Sequence, residues 1–127
     1  MADTQLAHIL LVEDDTFLAN IYKTKFEMEG FKVSVAEDGE AGYEAAGKIK
    51  PDLILLDILL PKMDGFSVLK KLKETDSVKE IPVILLTNLG QKDDVEKGLE
   101  SGAVDYLIKA HFKPSETVAK VKKVLGL

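Results

Sequence analysis

The residues able to do chemistry in this chain follow four short apolar runs. Glu13, Asp14 and Asp15 come after Ile9 to Val12, and Asp57 after Leu53 to Leu56. Thr87 and Asn88 come after Val83 to Leu86, and Lys109 after the run from Val104 to Ile108 around Tyr106. Brought to one edge, these groups put Asp14 and Asp57 face to face with Glu13 beside them. Carboxylates packed so closely repel, and raise one another's pKa unless a cation balances them. A hard divalent ion with oxygen ligands suits such a set, and Mg²⁺ keeps waters that a phosphate oxygen can replace. An aspartate nucleophile, a metal on the phosphoryl oxygens and a nearby lysine and threonine make a phosphoryl-transfer site. Its work is positioning and charge neutralisation.

The elements that must hold these residues are legible from pattern. Continuous short apolar runs predict strands buried on both faces, as in a parallel sheet. Phe31, Val33 and Val35 alternate with Lys32 and Ser34, which predicts a half-exposed edge strand. Apolar residues recur at helical spacing at Leu18, Ile21, Tyr22 and Phe26, and at Ala41, Ala45 and Ile49. The same spacing returns at Val68, Leu69 and Leu72, at Val95 and Leu99, and at Val118, Val121 and Leu125. Gly30, Gly39, Pro51, Asp64-Gly65, Pro82, Gly102 and Pro114 punctuate the boundaries. Five β-α alternations predict an α/β fold, a doubly wound parallel sheet with right-handed crossovers. Ligands of such sheets bind beyond the carboxyl ends of the strands, where the polar residues fall.

Composition bounds the rest. The 127 residues suit one domain, expected over 1–127 with a core of about 8–126. There is no cysteine, which removes disulfides, thiolate metal sites and a cysteine nucleophile. The start, Met1 to Gln5, lacks the basic and apolar regions of a signal peptide, and no apolar run could span a bilayer, so a cytoplasmic location is expected. The net charge of −5 leads to an expectation of no direct nucleic-acid and no membrane partner. Lys113, Lys120, Lys122 and Lys123 then read as a solvated helix face, and His8 and His111 as incidental. No strand leads into a phosphate-cradling Gly-rich loop.

Four segments carry a resemblance: Val12-Glu13-Asp14-Asp15, Leu56-Asp57 through Pro61 to Met63-Asp64-Gly65, Leu86-Thr87, and Tyr106-Leu107-Ile108-Lys109. In order and separation they resemble the signatures of bacterial response-regulator receiver domains, from about His8 to the C-terminus. The resemblance implies a flavodoxin-like sheet of order 2-1-3-4-5 with five helices. It implies a two-component switch in which Asp57 accepts a phosphoryl group from a sensor histidine kinase or phosphotransfer protein. Asp14 would bind Mg²⁺ (or Mn²⁺) directly, Glu13 through water, and the Leu59 carbonyl would be a further ligand. Thr87 and Lys109 would bind phosphoryl oxygens, and Tyr106 would swing inward with Thr87 on activation. Output would pass through helix four, strand five and helix five to a protein target. Asp15 receives no role; Asp64 reads as a helix cap and Gly65 as a turn residue.

Some positions depart from the pattern. Ala110 stands where the family usually has a cis proline, and a cis bond before alanine costs about 3 kcal/mol, so Lys109–Ala110 is expected trans with Lys109 still reaching Asp57. Asn88 is bulkier than the usual small residue. Leu59 and Leu89 cannot hold a hydrolytic water, which predicts a long-lived phosphorylated state. The alternative is a pseudo-receiver, a binding module that works without phosphorylation. A phosphatase or mutase would need an aspartate where Leu59 stands, so no enzyme activity beyond intrinsic autophosphatase is expected.

Overall fold

The structure, a computed structural model, describes residues 6–87, 92–109 and 113–127. Strands and helices alternate along it: β1 (His8–Val12), α1 (Thr16–Met28), β2 (Lys32–Ala36), α2 (Gly39–Ile49), β3 (Leu53–Asp57), α3 (Gly65–Lys73), β4 (Val83–Thr87), α4 (Lys92–Glu100), β5 (Asp105–Ile108) and α5 (Pro114–Leu125). The sheet is parallel in the order β2-β1-β3-β4-β5, the fold expected from the sequence. Register brings the functional strand ends level. Val12 lies opposite Leu56, Asp57 opposite Leu86, and Thr87 opposite Ile108.

Successive strand side chains point to opposite faces, so each central strand feeds two cores. On one side Ile9, Leu11, Leu53, Leu55, Ile84, Leu86 and Leu107 pack on Tyr22 and Phe26 of α1 and on Val118 and Val121 of α5. On the other, Leu10, Val12, Ile54, Leu56, Val83 and Leu85 meet Ala46 of α2 and Val68, Leu69 and Leu72 of α3. Burying each such side chain stabilises by about 1.5–3 kcal/mol before the entropy of ordering is counted. Aspartates start three of the helices. Asp15, Asp38 and Asp64 accept the backbone N–H of Leu18, Ala41 and Ser67, satisfying donors the first turn leaves unpaired. Asp64 is thus the cap expected of it, and Asp15, which had no assigned role, caps α1.

The helical periods were legible, but small residues set their phase. In α1 the buried face is Ala19, Tyr22 and Phe26, while Ile21 is exposed. In α2 Gly42 and Ala46 face inward, and Ala41 and Ala45 are only partly covered. An added Cβ on Gly42 would lie 2.8 Å from Val12 Cγ1, so only glycine lets that helix lie so close. In α4 Val95 is buried and Leu99 exposed, with Gly98 against Leu85. In β2 Val33 is buried but Val35, expected to share its face, is exposed. Val35 opens into a cleft bordered by Ala19, Asn20 and Lys23 instead of being covered. Val104 is exposed and precedes β5.

Candidate functional site

The carboxyl ends of β1, β3 and β5 deliver charged groups to one point. Glu13 is 1% and Asp57 4% exposed, whereas Asp14 is exposed. One oxygen from each of Glu13, Asp14 and Asp57 lies within 4.8 Å of the others. The Lys109 ammonium sits between the two buried acids, 2.5 Å from Glu13 Oε1 and 2.8 Å from Asp57 Oδ2. Its bond to Asp57 is a hydrogen bond, while its contact with Glu13 is an ion pair. No aligned donor among the described residues meets Glu13 Oε1. Backbone amides take the remaining oxygens: Asp15 N donates to Glu13 Oε2 and Leu59 N to Asp57 Oδ1, both at 3.2 Å. Lys109 is anchored by its own amide, which donates to the Thr87 carbonyl at 2.7 Å.

These surroundings polarise the titration of the cluster. Burial pushes the Glu13 carboxyl up to about 7; Asp57 adds to the rise and the Lys109 ammonium opposes it. Burial alone would lower the Lys109 amine, but the two carboxylates outweigh it and hold its pKa above the ordinary lysine value. Three carboxylates against one ammonium leave an excess of negative charge among hard oxygen donors. This donor set fits a divalent cation of the Mg²⁺ kind. The groups line a cleft of about 500 Å³, flanked by Leu18 and Leu59, whose side chain is 67% exposed.

Of the residues singled out in the sequence, Glu13, Asp14, Asp57 and Lys109 converge as expected, and the Lys109 amine reaches Asp57. Leu59, two residues after Asp57, borders the cleft. Thr87 is buried at the end of β4. Tyr106 is half-buried outside the cleft, where the Lys120 amine lies 5.8 Å from its ring centre and 3.2 Å from Asp105. Lys120 and Lys122, the latter 3.4 Å from Glu29, are therefore paired instead of merely solvated. His8 lies outside the acidic cluster, and its Nε2 shares a 2.8 Å hydrogen bond with Ser34 Oγ. Asn88, Leu89, Ala110 with its peptide bond, and His111 lie outside the described residues. Sequence reasoning gave Asp15 no role, though an acid just before a helical pattern could have been read as the cap of α1.

The model of the response regulator receiver domain family matches residues 9–122. The chain belongs to this family. It is 41% identical over 120 residues to the DNA-binding dual master transcriptional regulator RpaA of Synechocystis, covering 94% of this chain and 49% of that protein. It is 42% identical to the DNA-binding response regulator MtrA of Mycobacterium tuberculosis, covering 94% of this chain and 51% of that one. The receiver thus spans about half the length of these relatives. Among solved structures, the receiver domain of the sensor histidine kinase PA1611 from Pseudomonas aeruginosa, with a magnesium ion in its active-site cleft, superposes with a TM-score of 0.86. The two are 30% identical, with 95% of this chain and 98% of that one covered.

Receiver domains of response regulators are signalling switches of two-component systems, and no enzymatic family is indicated. The relatives correct one expectation. No direct nucleic-acid partner was expected, yet RpaA and MtrA are DNA-binding regulators. The charge of one receiver says little about what a longer regulator containing such a domain binds. No helix of the described residues is long and apolar enough to cross a membrane.

Proposed function

We propose that this receiver is a phosphorylation-activated switch with Asp57 as phosphoacceptor. The observation that carries the reading is the convergence of Glu13, Asp14 and Asp57 within 4.8 Å around the Lys109 ammonium. Asp14, Asp57 and the Leu59 carbonyl would hold Mg²⁺ directly and Glu13 through water, as the donor set and the magnesium in the PA1611 receiver support. Bound there, the ion supplies charge neutralisation to the phosphoryl oxygens. An Asp57 carboxylate oxygen attacks phosphorus while the bond to a phosphohistidine nitrogen of a sensor kinase or phosphotransfer protein breaks. The leaving imidazole keeps the electron pair and takes up a proton. Lys109 and the Thr87 hydroxyl then bind the phosphoryl oxygens, and Tyr106 follows Thr87 inward. Lys109 would have to leave Glu13 in part to do so.

The face of α4, β5 and α5 would carry the output; Tyr106 and Asp105 of β5 meet Lys120 of α5 there. The relatives' names point to control of DNA binding as the output class. Any hydrolysis of the aspartyl phosphate would be intrinsic to this site. The test is incubation with acetyl phosphate, with and without Mg²⁺, followed by intact mass. One phosphoryl group should appear only with the ion and vanish in Asp57→Ala. Modification that persists in Asp57→Ala overturns the assignment of Asp57, and none in the parent overturns the switch reading in favour of a phosphorylation-independent binding module.

A further inference from the structure

The segment between β3 and α3, residues 58–64, joins Asp57 to α3 and includes the Leu59 carbonyl. Glycines grip it at both ends. An added Cβ on Gly65 would lie 2.3 Å from the Asp57 carbonyl oxygen and 2.6 Å from Ile58 Cα. An added Cβ on Gly39, the first residue of α2, would lie 1.7 Å from the Met63 carbonyl oxygen and 2.6 Å from its carbon. Those neighbours are backbone, so the loop or the helix would have to move. Gly39 N also donates to the Pro61 carbonyl at 3.3 Å. Between these contacts the chain makes a γ-turn: Met63 N donates back to Pro61 O at 2.7 Å across Lys62, whose φ is +67°. That form is rare and strained for a non-glycine residue, and persists only where its surroundings over-determine it. The Lys62 amine lies 3.7 Å from Asp38, the cap of the same α2 turn.

We propose that Gly39 is a positioning residue for the phosphoacceptor site. Its missing side chain lets the first turn of α2 close on Pro61 to Met63, which holds the strained turn. The turn in turn sets the height of the Leu59 carbonyl beside Asp57. This rests on reading the site as a Mg²⁺-dependent phosphoacceptor, and it gives α2, which supplies no carboxylate to the cluster, a part in metal binding. A purely packing role for Gly39 predicts something different, a loss of stability with unchanged Mg²⁺ affinity in the folded protein.

The experiment is Mg²⁺ titration of the full chain by calorimetry, with thermal melts in parallel, for the parent, Gly39→Ala, Lys62→Pro and Gly47→Ala. Proline cannot adopt a φ of +67°, so Lys62→Pro breaks the turn without changing a residue of α2, at the cost only of the exposed Lys62–Asp38 ion pair. Both loop variants should bind Mg²⁺ about ten- to a hundredfold more weakly, as loss of a support behind a metal ligand does. Raising Mg²⁺ should restore their phosphorylation by acetyl phosphate. Gly47→Ala, in the same helix but with nothing near its added Cβ, should bind as the parent does. Parent affinity in a folded loop variant overturns the proposal, whatever its melting temperature. If Gly39→Ala does not fold, Lys62→Pro alone decides by the same reading. A parent that binds no Mg²⁺ overturns the metal reading and this inference with it.

Discussion

The two ends of the sheet solve the problem of polar groups in opposite ways. At the carboxyl end Glu13 and Asp57 are buried with one ammonium between them, and Glu13 Oε1 has no aligned donor among the described residues. At the amino end the polar groups are satisfied by near neighbours. His8 bonds Ser34 through its ring and Asp52 Oδ2 through its amide, both at 2.8 Å. One end is arranged for stability. The other keeps charge in excess and out of water, a cost that the proposed binding of a cation and a phosphoryl group would explain. Titration follows the same division, with Glu13 shifted upward and His8 downward, each chiefly by burial.

The harshest way to break the contrast is to remove its central cation. Lys109→Met leaves the buried Asp57 carboxylate without its cation and should cost about 3–5 kcal/mol at neutral pH, as breaking a buried pair does. Urea denaturation checks it. A cost below about 1 kcal/mol would mean the cluster is hydrated and the two ends alike.

Asp14 sharpens the comparison because it belongs to the cluster yet is exposed. Asp14→Asn should weaken Mg²⁺ binding at least about tenfold while stability moves by less than about 0.5 kcal/mol. Titration and denaturation of one sample separate the two effects. Unchanged Mg²⁺ affinity would make the acidic cluster merely structural.

A third test uses α2, whose first turn lies at the site and whose last lies toward the amino end. Gly47 is exposed with nothing near an added Cβ, so Gly47→Ala should stabilise by about 0.5–1 kcal/mol through helix propensity. Chemical denaturation reads it, and destabilisation would show that this end also depends on close approach.

The smallest effect lies in pH. Without divalent ions, the raised Glu13 pKa means the folded state holds a proton that the unfolded state releases, so its contribution declines as pH rises from about 4.5 to about 7. The lowered His8 pKa acts in the other sense, and its contribution is lost as pH falls below 6.5. Glu13→Gln and His8→Gln should flatten the stability–pH curve with opposite signs. Changes of the same sign would end the contrast.

Much of this molecule was legible in the sequence because the information was local. Apolar runs marked the strands, turn residues the boundaries, and the places of Glu13, Asp14, Asp57 and Lys109 after strands their meeting at one edge. Asp64 announced itself as a cap by standing before Gly65 and a helical period. Tertiary structure decided what depended on distant partners. Glu13 and Asp14 are neighbours in sequence, yet only the chain's turn into α1 buries one and exposes the other. Lys109 meets an aspartate 52 residues away, and that approach needs strands three, four and five in register. Ile21 and Ala41 lost their expected places because the helices press closest where side chains are smallest, which periodicity cannot weigh. Gly39 gave no local sign of its contact with Met63, because a glycine's reason is the atom that would collide with its missing side chain, and that atom is placed only by the fold.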